Sequence, residues 1–153
     1  MKSVLFVCLG NICRSPMAHG ILRDKAEKAN IDVEIESAGT SGFHLGEPAD
    51  SRAISMLQSK GIDILDLRSR LFIAADFDTF DYIFTMDSSN QLDLLNIRKD
   101  MGHPNYPQLV MNLSYPTENI SVPDPYYGGA TGFEDVYKML DGSLDELIKK
   151  LQG

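Results

Sequence analysis

Hydrophobic residues recur along this chain in two alternating rhythms. Ser3 to Val7 is a short run of β-branched, aromatic and aliphatic side chains, the pattern of a strand buried on both faces of a parallel sheet. From Pro16 to Ala29 the interval lengthens, and Met17, Ile21, Leu22 and Ala26 recur at helix spacing. Asp32 to Ser37 alternates as a second strand. After the loop Ala38 to Glu47, the segment Pro48 to Lys60 predicts a helix stopped by Gly61. Asp81 to Thr85 predicts a third strand, and Ser88 is positioned to cap a helix carrying Leu92 and Leu95. Leu109 to Leu113 predicts a fourth strand, after a connection punctuated by Pro104 and Pro107. The last helix has the clearest pattern. Thr131-Gly132-Phe133-Glu134 has capping-box spacing, and Phe133, Val136, Tyr137, Leu140, Leu144, Leu147, Ile148 and Leu151 form one apolar stripe.

Strands alternating with helices predict an α/β fold, a doubly wound, four-stranded parallel sheet flanked by helices. In such sheets ligands sit beyond the carboxyl ends of the strands, so the loops that follow strands are where functional residues belong. The 153 residues, 43% of them hydrophobic and 24% charged, suit one domain spanning 1–153 with its own core. The sequence shows no internal repeat or low-complexity tract that would divide it.

Charge and cysteine content narrow the function. The formal net charge is −8 and no Lys/Arg-rich run occurs, which argues against a nucleic-acid partner, because phosphate backbones are bound by clustered basic residues. The same negative field repels anionic substrates, so a phosphate site here needs local positive potential from an Arg and backbone amides. The two cysteines, Cys8 and Cys13, are too few for a disulfide framework. His19, His44 and His103 are scattered, and no metal site is expected. Lys2 followed by the apolar run Val4 to Leu9 superficially resembles the start of a signal peptide. The run is too short and meets Gly10, Asn11 and Arg14 at once, so a buried first strand is the better reading. No run approaches the roughly 18 apolar residues of a membrane span. A monomer in a reducing cytoplasm is expected, with export by a non-classical route left open.

The candidate chemistry lies directly after the first strand. Cys8 ends the strand, and Arg14 in a C-x5-R spacing meets Ser15 and Pro16 at the start of the first helix. Amides of the intervening loop can point inward at anionic oxygens, Gly10 relieves any demand for unusual backbone angles, and Arg14 can clamp two oxygens at once. The helix N-terminus and the guanidinium favour a thiolate at Cys8. Ser15 is placed to donate to the sulfur, and Asn11 to pin the loop through its amide. Taken singly, each residue has an ordinary role: Cys8 as a small buried hydrophobe, Arg14 as a solvated helix residue, Ser15 and Asn11 as cap or turn formers. Their shared spacing makes them a phosphate cup.

The run Val7-Cys8-Leu9-Gly10-Asn11-Ile12-Cys13-Arg14-Ser15-Pro16-Met17-Ala18 strongly resembles the signature of the low-molecular-weight protein tyrosine phosphatases. The resemblance continues in order through Ser37-Ala38-Gly39-Thr40-Ser41-Gly42, Phe77 to Ile83, Met86-Asp87 and Asp124-Pro125-Tyr126-Tyr127-Gly128. It implies a phosphotyrosine phosphatase that needs no cofactor and acts on phosphotyrosine-containing proteins or peptides. Cys8 is then the nucleophile, Arg14 the phosphate clamp and Asp124 the general acid. Leu9, Gly10, Asn11, Ile12, Cys13 and Ser15 form and support the loop. A phenol leaving group has a pKa of about 10, so protonation during P–O cleavage assists its departure. Asp87 is the rival acid, and the plain alternative for Asp124 is a turn former before Pro125.

The resemblance also makes Phe43, Tyr126 and Tyr127 walls of a cleft for a phenyl ring, and it pairs Cys8 with Cys13 in a reversible disulfide that protects the nucleophile. Similar bacterial enzymes acting on phosphoarginine tend to carry Thr at the position of Ile12 and Phe-Gly at Tyr126-Tyr127, so both positions favour tyrosine. Arsenate reductases of this fold relay electrons through further cysteines, and none follows Cys13. A binding module that kept the cup without turnover would have no use for nucleophile, clamp and acid together. One departure stands out. Members often carry a loop-supporting histidine where this chain has Leu67 of Leu67-Arg68-Ser69-Arg70, so Ser37 is expected to brace the loop alone.

Overall fold

A computed structural model describes residues 1–101, 105–128 and 131–153. His103 and Pro104 fall outside the described residues. Four strands, β1 (Lys2–Cys8), β2 (Val33–Gly39), β3 (Tyr82–Thr85) and β4 (Gln108–Leu109), pair in the order β2-β1-β3-β4. All pairs are parallel. The chain moves outward from β1 to β2 and then crosses back to β3 on the other side of β1. The reversal lies between β1 and β3, where the segment leaving the carboxyl end of β1 starts at Cys8 and the one leaving β3 starts at Met86-Asp87.

Alternation along β1 decides which face each residue serves. Val4, Phe6 and Cys8 join one apolar cluster with Met17, Ile21 and Leu22 of α1 (Arg14–Lys28) and Val136, Leu140, Leu144 and Leu147 of α5 (Gly132–Gln152). Leu5 and Val7 join the opposite cluster, with Phe72, Phe77, Phe80, Ile83 and Leu94. Each of these side chains, removed from water, contributes roughly 1.5–3 kcal/mol. The nucleophile candidate Cys8 therefore ends a strand clamped on both faces.

The other helices are α2 (Ser51–Gln58), the short α3 (Asp76–Thr79), which the hydrophobic pattern did not predict, and α4 (Ser88–Met101). Three expectations are corrected. The fourth strand shares only Leu109 with the predicted Leu109–Leu113, because β3 ends at Thr85, the last residue with a partner on β4. Val110–Leu113 instead turns into a 3-10 helix, with Ser114 and Tyr115 both donating to the Met111 carbonyl. Ser88 does not cap α4. Asp87 does, its Oδ1 accepting from the Asn90 amide at 2.8 Å, and Leu94 rather than the 59% exposed Leu92 packs inward. Thr131 stands before α5, but its ψ of −6° is helical rather than extended, and its hydroxyl forms no cap hydrogen bond. Among the described residues no helix is long and apolar enough to cross a membrane.

Candidate active site

The loop from Cys8 to Arg14 is built on two backbone requirements. Asn11 adopts φ 58°, a left-handed conformation that Asn tolerates better than most residues because its short amide can bond locally. The unusual angle thus falls on Asn11 and not on Gly10, as the sequence suggested. The second requirement is at Gly39, where β2 ends beside the loop. A Cβ on Gly39 would lie 2.8 Å from the Leu9 carbonyl oxygen and 3.2 Å from the Asn11 Cβ, too close without displacing the loop.

Hydrogen bonds around the sulfur run in one direction. The Arg70 amide donates to Asn11 Oδ1 at 3.0 Å, and Asn11 Nδ2 donates to Ser15 Oγ at 2.7 Å. Because Nδ2 is only a donor, Ser15 Oγ accepts there and its own proton is left for Cys8 Sγ, 3.0 Å away. The Asn11 amide adds a second donor to the sulfur at 3.3 Å. Ser69 Oγ donates to the Gly10 carbonyl at 3.0 Å. Ser37, expected to brace the loop, instead sets its hydroxyl 3.5 Å from His19 Nδ1 between β2 and α1. The brace comes from Ser69 and the Arg70 backbone, held in place because Gly39 donates to the Arg70 carbonyl at 2.8 Å. Support for the loop thus comes from Ser69, two residues beyond Leu67.

Both cysteines are free thiols and buried, but their surroundings differ. Burial, with added repulsion from Asp50, Cys8 and Asp124, pushes the Cys13 thiol far above its ordinary range, so Cys13 stays protonated. Donors converge on Cys8 Sγ. Arg14 is 2% exposed, and its Nη1 donates to Asp87 Oδ2 at 2.5 Å and to the Val122 carbonyl at 2.9 Å. Its Nη2 lies 3.7 Å from Asp124 Oδ2. Two carboxylates therefore flank one guanidinium, and side chains alone give the cup no excess positive charge. The inward amides and the start of α1 supply the rest.

The cup opens into a cleft of about 290 Å3. Cys8, Leu9, Gly10, Ile12, Cys13 and Arg14 form its floor, and Ser41, Phe43, His44, Asp124, Tyr126 and Tyr127 its walls. Asp124 caps a 3-10 turn, Pro125–Tyr127, with Oδ1 accepting from the Tyr126 amide at 3.0 Å. The Val122 amide, donating to the Met86 carbonyl at 2.8 Å, ties the approach to this turn onto the end of β3. Asp87 caps α4, pairs with Arg14 and is absent from the cleft lining, so its geometry suits holding the clamp. The rings of Tyr126 and Tyr127 meet edge to face, with centroids 4.9 Å apart. Phe43 and Tyr127 are 92% and 90% exposed, an aromatic rim standing in water.

A family model described as low molecular weight phosphotyrosine protein phosphatase matches residues 3–153. The chain belongs to that family. Among its curated relatives, the low molecular weight phosphotyrosine protein phosphatase of Schizosaccharomyces pombe is 40% identical over 153 residues, covering 97% of this chain and 96% of that protein. The human protein of the same description is 41% identical over 140 residues, covering 90% of this chain and 87% of that protein. Among solved structures, a protein tyrosine phosphatase from Entamoeba histolytica with Hepes in the active site superposes with a TM-score of 0.90 at 36% identity, covering 99% of this chain and 97% of that one. DARP, described as a Drosophila arginine phosphatase, superposes with a TM-score of 0.91 at 34% identity, covering 100% and 99%.

Three site features of this family member escaped sequence reasoning. His44 sits on the cleft wall with Nδ1 against Glu47 and its ring 6.2 Å from Tyr126, yet nothing in its spacing separates it from a surface histidine. Asp87 was visible within Met86-Asp87, but its pairing with Arg14 spans 73 positions. The Val122 carbonyl that holds Arg14 is a backbone group and leaves no trace in residue type.

Proposed function

We propose that this protein-tyrosine phosphatase acts as one domain over residues 1–153 and hydrolyses aryl phosphates through a cysteinyl-phosphate intermediate. The observation that carries this reading is the convergence of Ser15 Oγ and the Asn11 amide on Cys8 Sγ, beside a buried Arg14 and facing Asp124 across the cleft. With Nη1 occupied by Asp87 and Val122, the Nε–Nη2 edge of Arg14 is the part left to clamp phosphoryl oxygens. The Cys8 thiolate attacks phosphorus, the P–O bond to the phenol breaks, and Asp124 gives its proton to the departing oxygen. Asp124, now a carboxylate, accepts a proton from water as that water attacks phosphorus. The P–S bond breaks, Ser15 stabilises the departing thiolate, and inorganic phosphate is released. Charge spread over the equatorial oxygens is met by Arg14 and the loop amides.

The substrates in this reading are phosphotyrosine-containing proteins or peptides, and the protein is a cytoplasmic monomer that uses no metal or cofactor. Phosphoarginine is the second reading, favoured by the likeness to DARP. Ile12 on the floor and the Tyr126-Tyr127 wall support the flat aryl substrate instead. The test is turnover of para-nitrophenyl phosphate, a phosphotyrosine peptide and a phosphoarginine peptide. Wild type is expected to prefer the tyrosine peptide. Cys8→Ser should lose at least about 10^3-fold in turnover, and Asp124→Ala about 10^2- to 10^3-fold. Faster hydrolysis of phosphoarginine would reverse the substrate assignment, and an active Cys8→Ser would end the mechanism.

A further inference from the structure

We infer that Arg52 is a positioning residue that sets the general acid against the phosphate cup. It stands in the first turn of α2, outside the motif residues and absent from the cleft lining. Its Nε donates to Asp50 Oδ1 and its Nη2 to Asp50 Oδ2, both at 3.0 Å, a two-point fork that fixes the plane of the guanidinium. The remaining Nη1 reaches across to the Tyr126 carbonyl at 3.1 Å. The guanidinium carbon also lies 4.8 Å from the Phe133 ring centroid and 5.3 Å from that of Tyr126.

Both ends of this fork lead to the reacting groups. The Asp50 amide donates to the Ile12 carbonyl of the cup at 2.8 Å. The amide of Tyr126, whose carbonyl Arg52 holds, donates to Asp124 Oδ1. One side chain thus joins the residue that braces the floor to the residue that orients the acid. The acid turn is short and packs through the buried Pro125 while Tyr127 is 90% exposed, so the tie from Arg52 adds a second fixed point for its distance from Cys8. Asp50 is held below the usual carboxylate range, chiefly by its hydrogen bond from Arg52, and stays ionised as the anchor.

This inference rests on Asp124 being the acid, and leaving-group dependence separates the two claims. Phenyl phosphate needs a proton on its leaving oxygen, whereas 2,4-dinitrophenyl phosphate leaves as a stable phenolate. In Arg52→Ala, kcat/KM for phenyl phosphate, which reports the step that expels the leaving group, is expected to fall about tenfold while kcat/KM for the dinitrophenyl ester changes less than about twofold. Competitive inhibition by inorganic phosphate should be unchanged, because the cup is intact. In an Asp124→Ala background, Arg52→Ala should cost nothing further. Arg52→Lys keeps the charge without the fork and should show the same leaving-group selectivity, so it serves if Arg52→Ala melts early. Equal loss of kcat/KM for both esters, a weakened phosphate inhibition constant, or additive loss in the double variant would overturn the inference while leaving the acid assignment standing. Absence of leaving-group selectivity in Asp124→Ala itself would overturn both.

Discussion

The two halves of the site are built in opposite ways. The phosphate cup is contiguous in sequence, buried, and cross-braced at nearly every residue: Asn11 by Arg70 and Ser15, Gly10 by Ser69, Ile12 by Asp50. The acid turn is a three-residue 3-10 helix at the end of a long connection, with two exposed tyrosines and a few polar ties to the body. The difference matches their tasks. The cup must hold its amides and thiol in place before the phosphoryl group arrives, because reorganising dipoles during the reaction would forfeit the stabilisation they give. In the proposed mechanism the acid has to reach the far side of the phosphorus, admit a protein substrate and serve two successive steps, which a turn anchored through the buried Pro125 and otherwise open to solvent allows.

The largest effect expected on the rigid half is on stability. His19 is buried, and burial together with Arg23 lowers its pKa from 6.5 to about 4, with Asp66 opposing. It is neutral in the folded protein over a range where the unfolded chain binds a proton. Its contribution is therefore fully present above about pH 6.5 and is lost as pH falls towards 4, on the order of 3 kcal/mol in all. Urea unfolding from pH 7 to pH 4 should show this slope, and His19→Gln should flatten it. A slope unaltered by that variant would mean that His19 does not titrate differently in the folded and unfolded chain.

Next is Asn11. Replacement by Ala removes the amide that both receives from Arg70 and donates to Ser15, and leaves a residue poorly suited to φ 58°. The expected loss in kcat is about 10- to 100-fold. Asn11→Gly separates the two contributions, recovering the backbone angle but not the hydrogen bonds. If Asn11→Gly had wild-type kcat, the cross-brace would be irrelevant to the chemistry and the contrast with the acid turn would weaken.

The smallest effect belongs to the rim. Tyr127→Ala should raise KM for a phosphotyrosine peptide about three- to tenfold, leave the melting temperature unchanged, and barely alter the inhibition constant of inorganic phosphate. A drop in melting temperature would show that this exposed ring is part of the packing and that the acid turn is less independent than its contacts imply.

Much of the cup was legible because its chemistry is local. The strand end, the C-x5-R spacing, the helix start, and the roles of Asn11 and Ser15 all concern residues within one turn of each other, where residue type constrains geometry directly. The unbroken apolar run of β1 and the stripe of α5 likewise fixed which sides are buried. Reading failed wherever a partner lay far along the chain or was a backbone group. Ser37 was a reasonable brace until the segment after Leu67 proved to run beside Gly39 and bring Ser69 to Gly10. The fourth strand was overestimated because its length depends on β3, not on its own hydrophobicity.

By itself the sequence determined the doubly wound class, through its periodicity, and put forward the candidate nucleophile, clamp and acid, through the C-x5-R spacing and the resemblance of the Cys8 and Asp124 segments to the family's motifs. Only the tertiary structure decided that Asp87 holds Arg14 while Asp124 faces the cleft, that Cys13 is kept a thiol by burial, and that Arg52 links acid to cup. Those outcomes depend on distances between residues tens of positions apart, set by how the crossover packs β3 against β1, and no local pattern of side chains encodes them.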